Sequence, residues 1–413
     1  MASHTLEFPS GTSSVDAATP RLKALPPLAL YIHVPWCVRK CPYCDFNSHP
    51  LREGDPAADG TAAGLDAAME RRYTDALTAD LDQSLPSVWG RRVASVFFGG
   101  GTPSLLSPGA VDELLSRGRA RLPIDPHAEV TLEANPGTAE ADRFAGFRAA
   151  GVNRLSLGIQ SFNPGHLKAL GRIHDDREAR RAIELAQHHF DNFNLDLMYG
   201  LPRQTPAQAL EDLRQACDSG APHISAYHLT IEPNTYFARF PPTLPDDDGA
   251  ADMQAAIEAL LERAGYRHYE TSAFARPGRE SRHNLNYWTF GDYLGIGAGA
   301  HSKLSFPDRI ERAVRHKHPR AYLDHAAGGD AVAQRHCVAP AALPFEFMMN
   351  ALRLVDGVPQ SLFAERTGLP LTIVLARLER ARARGLIETD ALQLRPTRRG
   401  QRFLNDLLEL FLD

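Results

Sequence analysis

The sequence predicts an α/β chain: a partial (β/α)6 barrel, an added β-containing extension and a C-terminal winged-helix-like domain. Three observations carry this. Short apolar runs alternate six times with stretches of helical spacing between residues 28 and 230. The chemically unusual residues fall at the ends of those runs, where parallel strands gather them on one rim. Beyond about residue 240 the alternation stops, and a helical, arginine-rich segment closes the chain.

The elements follow in order. Residues 1–26, rich in Ser, Thr, Pro and Ala, are expected to be a mobile leader. Leu28–Val34 is the first strand, residues 51–66 a surface insertion built largely from Ala, Gly and Asp, and residues 67–85 the first helix. Strands are expected at 93–98, 129–133, 153–160, Phe193–Tyr199 and 223–230. The helices between them lie at 107–120, 139–150, onward to about 190, and Pro206–Asp218. Six such units at this spacing imply parallel strands with right-handed crossovers, spanning residues 27–240. The extension, 241–335, holds one helix (250–264) and a glycine-rich segment (291–299). The last unit, 336–413, shows helices at 345–354, 361–368 and 371–384, a turn at Gly385, a strand pair (386–388, 393–395) and a helix over 396–412.

Composition narrows the function classes. The net charge of −5 gives no global attraction to nucleic acid or to an anionic membrane. No run approaches the roughly 18 apolar residues of a membrane span, and the first twenty residues lack the basic and apolar regions of a signal peptide. A cytoplasmic protein is expected, with peripheral membrane contact left open. Of five cysteines, Cys37, Cys41 and Cys44 sit within eight residues, while Cys217 and Cys337 stand alone and are expected to be buried thiols. A tight triplet within an odd total indicates a cofactor or metal site in a reducing compartment rather than a disulfide framework.

The triplet has the form Cys37-x3-Cys41-x2-Cys44. Three thiolates on one loop can hold three irons of a [4Fe–4S] cubane. The fourth iron then stays open to an amine and a carboxylate, such as the methionine end of S-adenosylmethionine (SAM). A zinc site completed by His33 or His49, or a redox pair of Cys41 and Cys44, is the plainer alternative.

The run from Tyr31 to Cys37 (YIHVPWC) with Cys41-Pro42-Tyr43-Cys44-Asp45-Phe46 resembles the radical SAM superfamily. More narrowly, it resembles the oxygen-independent coproporphyrinogen III oxidase family and, within it, the HemW-type heme chaperones. GGGTPS (99–104), LGIQSF (157–162), GRIH (171–174), NLDLMYGLP (194–202), IEPNT (231–235) and HNLNYW (283–288) extend the likeness to the C-terminus. The resemblance implies a radical SAM barrel, with SAM contacts at Tyr31, Gly100, Gly101, Thr102, Glu133, Gln160, Arg172, Asp196, Thr230 and His301. Taken singly, the charged residues would be ordinary surface ion pairs. Chemistry suits the assignments: glycines allow close backbone approach, Glu133 suits an ammonium, Arg172 a carboxylate through its fork, and Gln160 and Asp196 ribose hydroxyls.

His283, Tyr287 and Trp288, within HNLNYW, offer an imidazole and two aromatic faces, which the resemblance implicates in heme binding. From composition alone the same segment is a loop whose aromatics fold inward. Two functions follow from the likeness. One is a heme chaperone that carries heme as cargo to recipient haemoproteins. The other is an oxidase that oxidatively decarboxylates two propionates of coproporphyrinogen III, starting by hydrogen abstraction with the deoxyadenosyl radical; an electron donor is an expected partner. The oxidase type carries a further cysteine two residues after the third ligand; here that position is Phe46. His301 stands where the oxidase type has an apolar residue. The arginines of the last unit, among them Arg377, Arg380, Arg382 and Arg384, invite a DNA-binding reading, which the acidic balance of the whole chain opposes.

Overall fold

The computed structural model describes residues 19–51, 64–137 and 141–412. The greater part of the expected leader and insertion, and the start of the expected helix 139–150, lie outside them. Six parallel strands form the centre: β1 (Leu28–Val34), β2 (Val93–Gly100), β3 (Ile124–Ala134), β4 (Arg154–Gln160), β5 (Phe193–Tyr199) and β6 (His223–His228). Helices α1 (Ala67–Val88), α2 (Pro108–Arg119), α3 (Phe144–Ala149), α4 (Asp176–His189) and α5 (Pro206–Asp218) lie between them in sequence. Local chemistry sets where these helices begin. Asp66 caps α1, Ser107 caps α2 with Pro108 behind it, and reciprocal capping boxes, Asp175–Glu178 and Thr205–Gln208, start α4 and α5.

Side-chain alternation gives the sheet two faces. Leu30, Ile32, Val96, Phe98, Leu132, Leu155, Leu157, Leu195, Leu197 and Ile224 join the core shared with the helices. The alternate positions are polar: Tyr31, Ser95, Glu129, Glu133, Ser156, Asn194, Asp196 and Ser225. Asp196 on β5 raises Glu133 on β3 across the intervening strand, as expected if the sheet curls and turns this face into the lumen of a partial barrel.

The extension is more β-rich than the sequence suggests and is not a separate layer. Helix α6 (Asp247–Arg263) leads to β7 (Arg267–Glu270) and β8 (Ala273–Ala275), which extend the sheet beyond β6. Helix α7 (Arg282–Trp288) leads to β9 (Asp292–Ile296), which pairs parallel with β1. Then β10 (His301–Phe306), β11 (Arg309–Arg315), helix α8 (Pro319–Ala327) and β12 (Val332–Cys337) complete the other side. The result is one twelve-stranded sheet, ordered β12-β11-β10-β9-β1-β2-β3-β4-β5-β6-β8-β7. It runs unbroken across the boundary expected at residue 240, and β12 crosses the one at 335.

A second core belongs to the C-terminal unit and includes Val338, Phe347, Phe363, Leu378 and Phe411. Leu22 joins it, and Arg21 N donates to Gly368 O, so residues just after position 18 are anchored rather than loose. The expected last helix is broken at Phe403, and Gln393–Leu394 pairs with Val358–Pro359. Cys337, expected to be buried, is exposed at the end of an edge strand; Cys217 is half-buried.

Candidate functional site

The cysteine loop leaves the end of β1 and is fastened on several sides. Lys40 Nζ donates to Phe46 O and Ser48 O at 3.3 and 3.2 Å. Asn47 Nδ2 donates to Ala298 O and Lys317 O, both at 2.9 Å. His33 Nε2 donates to Asn47 O at 3.0 Å, which leaves Nδ1 to accept from the Tyr31 hydroxyl, also at 3.0 Å. Burial holds His33 neutral, at about 4. Gly101 comes close beneath this loop: a Cβ there would stand 2.5 Å from Trp36 O and 3.1 Å from Cys37 Sγ. At Gly100, with φ +118°, a Cβ would collide with the His33 ring. The glycines are therefore required by the loop's own packing. Their N–H groups are also engaged, Gly101 with Val34 O and Gly100 with Glu133 Oε2 at 3.1 Å.

The thiols suit an iron–sulfur cluster. Burial raises Cys37 to about 11 and raises Cys44, so metal binding must drive their deprotonation. Structural zinc takes four protein donors on one ion, whereas a cubane takes one thiolate on each of three irons and so matches a loop that offers three cysteines.

The other rim residues converge on the same end. Thr102 is buried, its hydroxyl accepting from Asn135 Nδ2 at 3.1 Å. Asn135 Oδ1 and Gly158 O accept from Arg172 Nη2 at 2.6 and 2.7 Å, and Arg172 Nη1 lies 3.8 Å from Cys41 Sγ. Gln160 ends β4 with φ +67°, a left-handed conformation uncommon for a residue with a side chain and typical of functional sites. Asp196 accepts from Ser156 Oγ at 2.7 Å and Asn194 Nδ2 at 2.8 Å, yet burial raises it. Burial, and secondly the charge of Asp196, lifts Glu133 to about 8. Two carboxyl groups whose ionisation the lumen disfavours fit a cationic guest, and SAM brings an ammonium and a sulfonium.

Two expected contacts lie further out. Thr230 is exposed beyond the end of β6 and donates to Glu232. His301 is half-buried at the start of β10, near enough to His33 to perturb it. Sequence reasoning passed over Asn47, which ties the cysteine loop to the extension. It also gave no role to Asn135, which directly follows β3 and joins Thr102 to Arg172.

Arg172 supplies a first prediction. Arg172→Ala is expected to weaken SAM binding at least tenfold, since a hydrogen bond to a charged group is worth about 1.5–3 kcal/mol. Its place beside Cys41 adds that the cluster's reduction potential should fall, because a nearby positive charge is lost. Equilibrium binding and redox titration of reconstituted protein measure both, and unchanged SAM affinity removes Arg172 from the site.

The HNLNYW segment forms α7, across the barrel from the cysteines. Ser281 caps the helix, and the Glu129 carboxylate accepts from the backbone N–H of Arg282 and His283 at 3.1 and 3.0 Å. His283 is buried, stacked on Phe97 with centroids 4.6 Å apart, and its Nδ1 meets Ser95 Oγ at 3.2 Å. Burial, and secondly Arg154, lowers its pKa to about 3. Tyr287, one helical turn on, packs against the His283 ring. Trp288 turns the other way into the second core, with Arg353 over its ring. The motif thus bolts the C-terminal unit to the barrel floor, and heme could reach His283 only if α7 withdrew.

Comparison with known proteins agrees with this architecture. The radical SAM superfamily model matches residues 31–216, and the HemN C-terminal domain model matches residues 338–403. The heme chaperone HemW of Escherichia coli (strain K12) is 50% identical over 390 residues, covering 94% of this chain and 99% of that protein. The heme chaperone HemW of Haemophilus influenzae is 48% identical over 390 residues, covering 94% and 98%. Among solved structures, the coproporphyrinogen III oxidase HemN from Escherichia coli superposes with a TM-score of 0.76 at 24% identity, covering 94% of this chain and 90% of that one, a likeness of fold. With half of its aligned residues shared along almost its whole length, the chain belongs to the HemW family of the radical SAM superfamily.

Proposed function

We propose that the protein is a heme chaperone, binding heme and passing it to recipient haemoproteins, with a [4Fe–4S] cluster on Cys37, Cys41 and Cys44 and SAM at the barrel rim. The observation that carries this reading is the identity shared with proteins named heme chaperone HemW. Phe46 supports it over the oxidase: in place of a further thiol the loop presents an apolar ring, 49% exposed. Phe46 is not isolated. Ile173, Ile231, Tyr236 and Phe240 are also exposed, on segments that follow barrel strands. Phe237 N donates to Pro42 O, which brings the Tyr236–Arg239 turn against the cysteine loop. Apolar side chains around a rim suit a flat, apolar guest.

When bound, the cluster would supply an electron for reductive cleavage of the SAM sulfonium. The chain's own residues act around it. Tyr31, Gly100, Gly101, Thr102, Glu133, Gln160, Arg172 and Asp196 enclose SAM, with Thr230 and His301 at the margin. His283, Tyr287 and Trp288 belong to the reading as heme contacts made on withdrawal of α7. An electron donor and the recipient haemoprotein are the expected partners, and nucleic acid is not. No described helix is long and apolar enough to cross a membrane. The reading places the protein in the cytoplasm, with peripheral membrane contact open.

One experiment with two arms tests this. Reconstituted protein is incubated anaerobically with coproporphyrinogen III, SAM and reductant, and protoporphyrinogen is assayed. In parallel, heme is titrated and its transfer to an apo-haemoprotein followed. Stoichiometric heme binding and transfer without turnover is expected; porphyrinogen turnover would establish the oxidase instead. Repeating the titration with His283→Ala locates the cargo, since an unchanged heme spectrum moves the contact from α7 to the rim.

A further inference from the structure

Away from the lumen, His316, His325 and Asp330 each bring one donor atom to within 4.8 Å of the other two. No other three His, Cys, Asp or Glu side chains among the described residues converge in this way. They come from three elements. His316 follows β11, His325 lies in the last turn of α8, and Asp330 ends the turn leading into β12. Backbone bonds fix the arrangement: Gly328 N and Asp330 N both donate to His325 O at 3.0 Å, and His316 N donates to Ala331 O at 3.3 Å. The two imidazoles stack with centroids 3.9 Å apart and planes 12° from parallel. Asp330 Oδ2 lies 3.6 Å from His325 Nδ1.

A stacked pair with a nearby carboxylate could be ordinary surface packing. One observation goes beyond it: His316 Nε2 is enclosed by protein and has no hydrogen-bond partner. Buried ring nitrogens are normally satisfied. We propose that His316, His325 and Asp330 bind a borderline divalent cation, Zn2+ or the similar Ni2+ and Co2+, with water in the remaining position. Two imidazoles and a carboxylate are a standard donor set for these ions and unsuited to Mg2+ or Ca2+, which favour all-oxygen shells. Near-parallel rings cannot both hold one ion in their planes, so binding turns one of them. His325 is the one able to turn, its side chain being 46% exposed.

The cation would clip β11, α8 and the turn before β12 together. It would also stiffen the support of the cysteine loop: Gly299 N donates to His316 O, and Asn47 holds Ala298 O and Lys317 O on either side. This inference does not depend on the heme reading.

The test is anaerobic calorimetric titration of Zn2+ into the cluster-loaded full chain, with His325→Ala and Asp330→Asn beside it. Both substitutions are at exposed positions, and iron content reports that the fold and cluster survive. Losing even an outer partner of a metal site costs about 10- to 100-fold in affinity. Each variant is therefore expected to weaken one micromolar or tighter Zn2+ site at least tenfold. His325→Cys, which keeps a zinc ligand, should retain it. An isotherm identical in wild type and His325→Ala, or the lack of any site tighter than about 1 mM, would overturn the proposal.

Discussion

Asp292→Ala is expected to cost about 3–5 kcal/mol of stability, because it strands a buried positive charge. Asp292, fully enclosed on β9, accepts from Lys303 Nζ at 2.9 Å and from Ser305 N and Oγ at 2.8 Å each, and pairs with Arg91 at 2.8 Å. Lys303 is equally buried, and burial already lowers its pKa against the opposing pull of Asp292. Without the carboxylate, the ammonium must lose its proton or lose the fold. The sign follows. Lys303 in the folded variant would hold fewer protons than in the unfolded chain, so the variant's stability should rise with pH until the ordinary lysine range is reached. Urea denaturation at pH 7 and 9 measures both effects. Asp292→Ala combined with Lys303→Met should recover part of the loss, since apolar replacements of a buried pair are often neutral while Arg91 still lacks its carboxylate. An unchanged midpoint in the single variant would refute the argument. The site should feel the damage too, because β9 pairs with β1, and β1 feeds the cysteine loop.

That pair also marks how far the sequence could be read. The central strands were legible because each has an apolar face and ends in unusual chemistry. Leu28–Val34 and Phe193–Tyr199 were placed to the residue, and Glu133 and Gln160 stand at strand ends as expected, whereas Asp196 lies midway along β5. The strands of the extension lacked such a signal. Val332–Cys337 is an edge strand exposed along nearly all its length, so no burial pattern marks it. Asp292 and Lys303 would ordinarily be taken as surface charges, and only the fold reveals that they are buried together. The HNLNYW segment failed for another reason. Ser281 is a readable cap, but the Glu129 carboxylate completing the helix start comes from more than 150 residues earlier. Contacts of that kind are set by topology rather than by local pattern.

Glu133→Gln should leave the ligand-free protein more stable than wild type above pH 8 and indistinguishable from it in acid. The wild-type carboxyl has a folded value of about 8 against an ordinary 4.5, raised first by burial and then by Asp196. Between those values the folded chain holds a proton that the unfolded chain has released. Stability contributed by Glu133 is therefore complete below about 4.5 and is lost as pH rises toward 8. Asp196 and Glu270 are raised as well and slope the same way, so only the difference between variant and wild type isolates Glu133. Thermal or urea unfolding from pH 5 to 9 gives that difference, and parallel curves would refute the assignment. The same substitution should act oppositely on the guest. Under the proposed function, the SAM ammonium would meet Glu133 as a carboxylate, and its loss should weaken SAM binding about 10- to 100-fold. Wild-type binding at pH 7 should release a proton from Glu133 that the variant cannot release, and calorimetry in buffers of different ionisation enthalpy counts it. A residue that destabilises the free protein at neutral pH and is relieved by its ligand is one the fold keeps for binding.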